Sequence, residues 1–293
     1  MKPVRFAYHQ PTSVGEAIAL LGSFGGTARV LAGGQSLIPQ LNRRAVRPGA
    51  VVDIGRLPGL RHFGGEGEGL RIGALATHHD LETAERLPPG FAVVPETARL
   101  IGHPPVRTRG TLVGSLAHAD PRAEWCLLAV LMDAVVTVRG AYGARSLPVQ
   151  DLFAGGGRTV LAQDELLTDV LLPRPEPAAA LSETAFQEGG LPLVAAGAAV
   201  RLGPDGLAVS VRAALAGTAD RPVRLPALER ALCGTRPDGG WQDRVGEAVA
   251  ELPDPPSDEL AESSYRRRAA EAMLLQAFER SVSRARAAVP ADS

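Results

Sequence analysis

Two glycine-bearing loops are the segments of this sequence whose residue types are best suited to bind an anion. The first, "AGGQS", covers residues 32–36, and the second, "GTLVGS", covers residues 110–115. Glycines let successive backbone N–H groups point into one concavity, and the start of a following helix adds about half a positive charge. The pattern indicates a cradle for a pyrophosphate, although a structural turn explains either loop taken alone.

Other chemistry-bearing patterns are weaker. No lysine follows the first loop and no G-x-G-x-x-G occurs there, which excludes a P-loop and a nicotinamide fingerprint. His78 and His79 are adjacent, so on a helix they diverge by about 100°. Their neighbouring carboxylates are Asp80 and Glu82, and a structural role is favoured over a metal site. Cys126 lies on an apolar helix and is predicted to be a core residue.

The predicted elements place both loops between extended chain and a helix. "ARVLA" is predicted as a strand and "SLIPQL" as a helical turn around the first loop; "RAEWCLLAVLMDA" is predicted as a helix after the second. "SVGEAIALLGSF" is typical of a helix capped by Ser13, with Glu16 in a capping-box position. "LRIGALATHHDLETA" predicts a strand, a turn and a helix from Thr77, and "VVTVRG" with "ARSLPV" predicts a hairpin.

Composition and length predict two domains in an α+β chain. The 293 residues are 45% hydrophobic, enough for a sizeable core. The proline-rich "PRPEPAAA" at 173–180 is the best linker. After it, "LSETAFQ", "LVAAGAAVRLG" and "LAVSVRAALAG" alternate as three antiparallel strands, and helices follow. The last helix carries "YRRRAAEAMLLQAFER", which is interpreted as a solvated basic face or as a partner-docking face.

Charge and cysteine usage exclude several classes of function. The net charge of −1 gives no general attraction to nucleic acid. Cys126 and Cys233 are the two cysteines, so this chain alone cannot supply four cysteine ligands to an iron–sulfur cluster. The start, "MKPVRFAYHQPTS", has no apolar signal core, and apolar runs are broken by charge. We expect a cytoplasmic protein with no membrane span and no bound nucleic acid.

Four segments together resemble the FAD-binding medium subunits of molybdenum hydroxylases, the carbon monoxide dehydrogenase and xanthine dehydrogenase flavoprotein family. They are "VLAGGQSLIPQLNRRAVRPGAVVDIGRLPGL", "IGHPPVRTRGTLVGSLAHADPRAEW", "LAQDELLTDVLLP" and "DPPSDELAESSYRRRAAEAML". The resemblance covers nearly the whole chain in order. It implies an α+β fold with a two-subdomain FAD-binding domain of the vanillyl-alcohol-oxidase type at residues 1–176, divided near residue 55. A small domain with a three-stranded antiparallel sheet and helices would follow at residues 177–293.

The resemblance also implies roles for particular residues. Residues of the first loop would wrap the FAD pyrophosphate, residues of the second would close on it, an acidic residue would accept hydrogen bonds from the adenosine ribose, and two apolar residues would pack on the rings. In that order they are Val30, Leu31, Ala32, Gly33, Gly34, Gln35, Ser36 and Leu37; Thr111, Gly114 and Ser115; Glu124; and Ile101 and Leu167. No catalytic side chain and no metal ligand is expected, because the cofactor carries the chemistry.

One position departs from the family pattern. Val113 stands where the family has the first glycine of a pair, and a β-branched residue resists positive φ. We therefore expect a reshaped second loop and weakened FAD binding.

The function implied is electron transfer. The flavin would take electrons from a 2Fe–2S small subunit and pass them to an external acceptor, while a molybdopterin large subunit oxidises the substrate. The complex would be a heterotrimer, single or dimerised. Two alternatives stay open, an FAD-poor docking subunit of such a complex and a stand-alone flavin oxidoreductase.

Overall fold

The computed structural model describes residues 2–173 and 178–288. Residues 174–177, the centre of the predicted linker, lie outside the described residues. The helices, strands and sheets given below belong to the described part of the chain.

The N-terminal unit is a small parallel sheet with two short helices. Its elements are β1 (Ala7–His9), α1 (Val14–Ser23), β2 (Ala28–Leu31), α2 (Leu37–Arg43) and β3 (Ala50–Asp53). The strand order is β1-β3-β2, and both pairings are parallel. Parallel strands bring their carboxyl ends to one edge of the sheet, and the first glycine loop leaves β2 at that edge.

The cap of α1 follows the prediction with one difference. The Ser13 side chain accepts a hydrogen bond from the Glu16 backbone N–H, as a capping box requires. The Glu16 carboxylate, however, accepts from the N–H and hydroxyl of Thr12 instead of the Ser13 N–H. The carboxylate thus satisfies a donor one residue earlier.

A five-stranded antiparallel sheet follows, with helices on one side. The sheet order is β4-β5-β10-β6-β7, and a two-stranded ribbon pairs β8 with β9. The bounds of its elements, in chain order, are β4 (Phe63–Glu66), β5 (Gly69–Gly73), α3 (His78–Glu82), α4 (Val93–Leu100), α5 (Pro104–Arg107), α6 (Leu112–His118), α7 (Glu124–Leu131), β6 (Val135–Gly140), β7 (Gly143–Pro148), α8 (Val149–Leu152), β8 (Phe153–Gly155), β9 (Arg158–Thr159) and β10 (Leu166–Leu172). Every residue of α7 is buried, and Cys126 is in the core as predicted.

The C-terminal unit is an antiparallel sheet covered by helices. Its elements are β11 (Ala180–Ala185), β12 (Pro192–Leu202), β13 (Ala208–Ala216), β14 (Val223–Arg224), α9 (Pro226–Leu232), α10 (Gly240–Ala250) and α11 (Ser263–Ala288). The predicted three strands are present, and the two-residue β14 adds a fourth at the edge of the sheet. The last helix begins at Ser263, six residues later than the sequence pattern "SDELAESS" indicated.

Arg266, at the start of α11, binds this chain itself, whereas Arg268 is exposed and the two interpretations of the basic face stay predictions. Arg266 is 1% exposed and donates to the carbonyl oxygens of Leu193 and Gly217. Its guanidinium also forms an ion pair with Asp258 at 2.6 Å. These bonds offset part of the cost of burying the guanidinium, although the Arg266 Nε atom has no hydrogen-bond partner in the described chain. The sequence pattern marked the basic residues but not the carbonyl oxygens that receive them.

Candidate functional site

The first loop presents a row of unused backbone donors at the carboxyl end of β2. Gly34 adopts φ 75°, a left-handed conformation that glycine reaches without strain. Within the described residues, the N–H groups from Gly33 to Leu37 donate to no protein acceptor. Since the loop is half-buried, these donors need a polar partner. An anion of the size of a pyrophosphate fits this donor set.

The two predicted loops lie against each other, and Gly33 is the point of contact. A Cβ built on Gly33 would lie 1.9 Å from the carbonyl oxygen of Arg109 and 2.9 Å from the Cα atom of Gly110. No side chain fits such a gap, so glycine is needed at position 33 for the approach of two backbones. Residues separated by more than 70 positions in sequence are thereby brought into contact.

The second loop is the capped start of α6. Thr111 is the N-cap, and its hydroxyl oxygen accepts from the Gly114 N–H at 3.1 Å. The Ser115 N–H donates to the Thr111 carbonyl oxygen at 3.0 Å. Both N–H groups are therefore used within the chain. What this loop offers to a ligand is the hydroxyl protons of Thr111 and Ser115 and the partial positive charge of the helix start.

Val113 does not need glycine's conformational freedom, and the expectation of a reshaped loop is wrong on this ground. Val113 lies in the first turn of α6, and its φ angle is not positive. Its side chain is 2% exposed and belongs to the main hydrophobic core. A β-branched residue is acceptable there because the backbone is helical and the side chain is packed.

Glu124 is a buried carboxylate at the start of α7. It is 3% exposed, and burial raises its pKa to about 8, with the negative charges of Glu183 and Asp120 acting in the same direction. Burial likewise raises the pKa of Glu183, on β11, to about 7, and the Glu183 Oε2 atom has no hydrogen-bond partner in the described chain. A buried acid of this kind is stabilised by a ligand that donates hydroxyl protons to it.

The two apolar residues predicted to contact the rings occupy different surroundings. Ile101 ends α4 and packs, partly buried, against the main core. Leu167 lies on β10 beside a bulge between Leu167 and Asp169 and is 4% exposed. Val30 and Leu31 are half-buried residues of β2 that lead into the first loop. Contact of Ile101 and Leu167 with a flavin or adenine ring, and of Val30 and Leu31 with the pyrophosphate, stays a prediction.

His78 and Trp125 contribute a contact that the sequence patterns did not reveal. The Trp125 indole N–H donates to His78 Nδ1 at 3.0 Å in a buried position next to the second loop. Among the described residues, no group of three histidine, cysteine or acidic side chains is arranged to hold a metal ion. A structural role was favoured for the histidine pair in "ATHHD", and the buried bond of His78 agrees with it, but no pattern indicated Trp125 as the partner.

No helix in the described ranges is both long enough and apolar enough to cross a bilayer. The longest, α11, is interrupted by arginines along its length.

This geometry indicates a protein that binds a dinucleotide cofactor between two loops. Comparison with known proteins identifies the family. Residues 4–175 match the family described as "FAD binding domain in molybdopterin dehydrogenase", and residues 179–281 match the "CO dehydrogenase flavoprotein C-terminal domain". The chain therefore belongs to the family of FAD-binding subunits of molybdenum hydroxylases and is an oxidoreductase subunit with FAD as its cofactor.

Curated relatives and solved structures agree with this assignment. The carbon monoxide dehydrogenase medium chain of Hydrogenophaga pseudoflava is 31% identical over 95% of this chain and 97% of its own length. The 6-hydroxypseudooxynicotine dehydrogenase complex subunit alpha of Paenarthrobacter nicotinovorans is 32% identical over 98% of this chain and 97% of its own. Two solved structures have the same fold over 97% of this chain and 99% of theirs. A chain of the Hydrogenophaga pseudoflava carbon monoxide dehydrogenase superposes with a TM-score of 0.93 at 31% identity. A chain of quinoline 2-oxidoreductase from Pseudomonas putida 86 superposes with a TM-score of 0.92 at 30% identity.

Proposed function

We propose that this chain is the FAD-carrying electron-transfer subunit of a cytoplasmic molybdenum hydroxylase complex. It would receive electrons from a 2Fe–2S small subunit and pass them to an external acceptor, while a molybdopterin large subunit oxidises the substrate. The observation that carries the proposal is the contact of the two glycine loops at Gly33, which brings a row of unused backbone donors against a distant part of the chain. Similarity over nearly the whole length of medium chains from such complexes supports it.

The residues of this chain bind and orient the cofactor. The N–H groups from Gly33 to Leu37 would donate to the pyrophosphate oxygens, as charge-assisted hydrogen bonds worth about 1.5–3 kcal/mol each. The Thr111 hydroxyl accepts from the Gly114 N–H, so its own proton is directed outwards and available for a second donation. The Ser36 and Ser115 hydroxyls would add donors on the two sides of the same cleft.

Glu124 would accept hydroxyl protons from the adenosine ribose. Its carboxylate accepts two hydrogen bonds in the ionised form, and these would lower a pKa that burial holds near 8. FAD, when bound, supplies the one- and two-electron chemistry that no side chain of this protein can perform. The protein contributes position and electrostatics.

Electrons must reach the flavin from another chain. With Cys126 and Cys233 far apart in sequence, and Cys126 0% exposed in the core, the described chain has no set of thiolates for a cluster. We therefore infer that a partner subunit holds the cluster. The FAD-poor alternative draws no support from Val113, because that residue is helical.

Two measurements test the proposal. The purified chain should bind FAD with quenching of flavin fluorescence, at about one flavin per chain. Co-expression with an iron–sulfur subunit and a molybdenum subunit from the same genome should give a complex that co-elutes on size exclusion and reduces an artificial acceptor through the flavin. A chain that takes up no FAD, alone or with these partners, would contradict the assignment.

A further inference from the structure

His78 connects three parts of the cofactor site. It begins α3 and is 5% exposed. Its backbone N–H donates to the carbonyl oxygen of Gly110 at 2.8 Å, and its ring Nδ1 accepts from the Trp125 indole N–H at 3.0 Å. The first bond holds the start of the second loop, and the second holds α7.

The Trp125 bond fixes the protonation state and tautomer of His78. An indole N–H can only donate, so Nδ1 must be the unprotonated nitrogen and the proton must be on Nε2. Burial, assisted by the nearby Arg107 guanidinium, lowers the pKa of His78 to about 4. The ring is therefore neutral at physiological pH, and its orientation does not change with protonation over that range.

The other edge of the imidazole packs directly on the second loop. A Cβ built on Gly110 would lie 2.6 Å from His78 Nε2, so the ring occupies the space that a side chain at position 110 would need. Gly110 follows Arg109, whose carbonyl oxygen faces Gly33 of the first loop. The imidazole thus backs the junction of the two loops.

Trp125 links this junction to the buried acid of the site. It follows Glu124 in the first turn of α7 and is 1% exposed. A shift of the indole would move the Glu124 backbone with it, because adjacent residues of a helix are rigidly related.

We propose that His78 is a positioning residue for FAD, and that its hydrogen bond with Trp125 sets the distance between the loop junction and Glu124. This rests on the proposed function. It assigns a role to a buried pair that is otherwise only a core hydrogen bond. Neither side chain has to touch the cofactor.

The experiment uses four single variants and the Trp125→Phe/His78→Leu double variant of the full chain, with FAD affinity and thermal stability measured on each. Trp125→Phe removes the N–H donor and keeps an aromatic ring. His78→Leu removes the acceptor. His78→Asn restores a carbonyl acceptor at about the position of Nδ1. Trp241→Phe is the matched control, because the Trp241 indole, in the core of the C-terminal unit, also donates a hydrogen bond, which is partly buried, to Thr235 Oγ1 at 2.9 Å.

The expected result separates affinity from stability. Trp125→Phe and His78→Leu should each raise the FAD dissociation constant about tenfold, measured well below each unfolding temperature, and the double variant should be no worse than either alone. His78→Asn should recover most of the affinity. Trp241→Phe should lower the unfolding temperature to a similar extent and leave the dissociation constant unchanged.

Two results would overturn the proposal in distinguishable ways. If Trp125→Phe and Trp241→Phe lose stability alike and both keep wild-type FAD affinity, the His78–Trp125 bond is structural and the assignment of FAD to the cleft stands. If wild type itself binds no FAD, the proposed function fails and this inference fails with it.

Discussion

The two glycine loops look alike in sequence, but they differ in what they present and in why they contain glycine. The first is a turn with unused N–H groups from Gly33 to Leu37, at the end of a parallel strand. The second is the capped start of a helix, and its N–H groups at Gly114 and Ser115 bind Thr111. The first loop therefore has backbone N–H groups free for a ligand, whereas the second loop has used the N–H groups of Gly114 and Ser115 and has side-chain hydroxyls to offer.

The difference shows that a glycine can be required by a neighbour as well as by its own φ. Gly34 has φ 75°, which is a backbone requirement. Gly33 is required because Arg109 approaches to a distance that excludes a Cβ. Gly114 is helical, and a Cβ there would meet the movable Thr111 hydroxyl at 2.6 Å. Substitutions at these positions should consequently have graded effects.

The largest effect is expected at Gly33. Gly33→Ala places a methyl group 1.9 Å from the Arg109 carbonyl oxygen, so the loops must separate. We expect FAD affinity to fall at least about hundredfold, corresponding to roughly 3 kcal/mol, because several charge-assisted bonds are lost together. Fluorescence titration with FAD measures it. Gly15→Ala in α1, where the nearest atom lies 4.0 Å from the added Cβ, is the control, and equal affinities of the two variants would refute the contact argument.

The second effect concerns Val113, and it is mainly on stability. Val113→Gly deletes a side chain that is 2% exposed and weakens the first turn of α6. We expect the free energy of unfolding to fall by about 3 kcal/mol, from the cavity and from the helix propensity of glycine. Urea unfolding of the flavin-free chain measures the change. The dissociation constant of the folded variant for FAD should change less than about threefold. A variant that binds FAD more tightly than wild type would show that glycine is needed at this position after all.

The third prediction is that replacement of Glu124 changes stability and FAD binding in opposite directions. Burial raises its pKa to about 8, so the folded chain holds a proton that the unfolded chain releases above its ordinary value of 4.5. The folded state therefore loses stability as the pH rises from about 5 to 8. Glu124→Gln should remove this loss and stabilise the flavin-free chain at pH 8 by on the order of 2 kcal/mol.

The same substitution should weaken FAD binding about tenfold, because the amide is a poorer acceptor for ribose hydroxyls than a carboxylate. Unfolding curves at pH 5 and pH 8, with FAD titrations at pH 8, measure both effects. The control is Glu247→Gln, on an exposed position of α10. A destabilised Glu124→Gln variant with normal FAD affinity would show that Glu124 stabilises the fold and does not bind FAD.

The smallest effect is expected at Gly114. Gly114→Ala gains helix propensity of about 1 kcal/mol but displaces the Thr111 cap, which is worth about the same. Stability should change by less than about 1 kcal/mol, and FAD affinity should fall only a few fold through the crowded Thr111 hydroxyl. Thermal unfolding and FAD titration of this variant beside Gly33→Ala give the comparison directly. A loss as large as that at Gly33 would mean that both loops approach the phosphates equally closely.

Local patterns predicted most elements of the fold because the signals are short-range. The Ser13 cap, the Thr77 cap with Asp80, the β6–β7 hairpin and the buried α7 follow from residues within a few positions of one another. The short strand β14 was missed, because two residues carry no periodicity. Glu124 was identified by resemblance to a family and not by a local pattern, because a single acidic residue on an apolar helix has no distinctive sequence signature.

The sequence by itself determined the composition of both loops, the elements that flank them and the absence of cluster-forming cysteines. Only the tertiary structure decided that Gly33 meets Arg109, that Val113 belongs to a helical turn in the core, and that Trp125 reaches His78. The reason is physical: caps and periodicities depend on residues a few positions apart, whereas contacts between backbones separated by tens of residues depend on how sheets and helices pack, which no local pattern encodes.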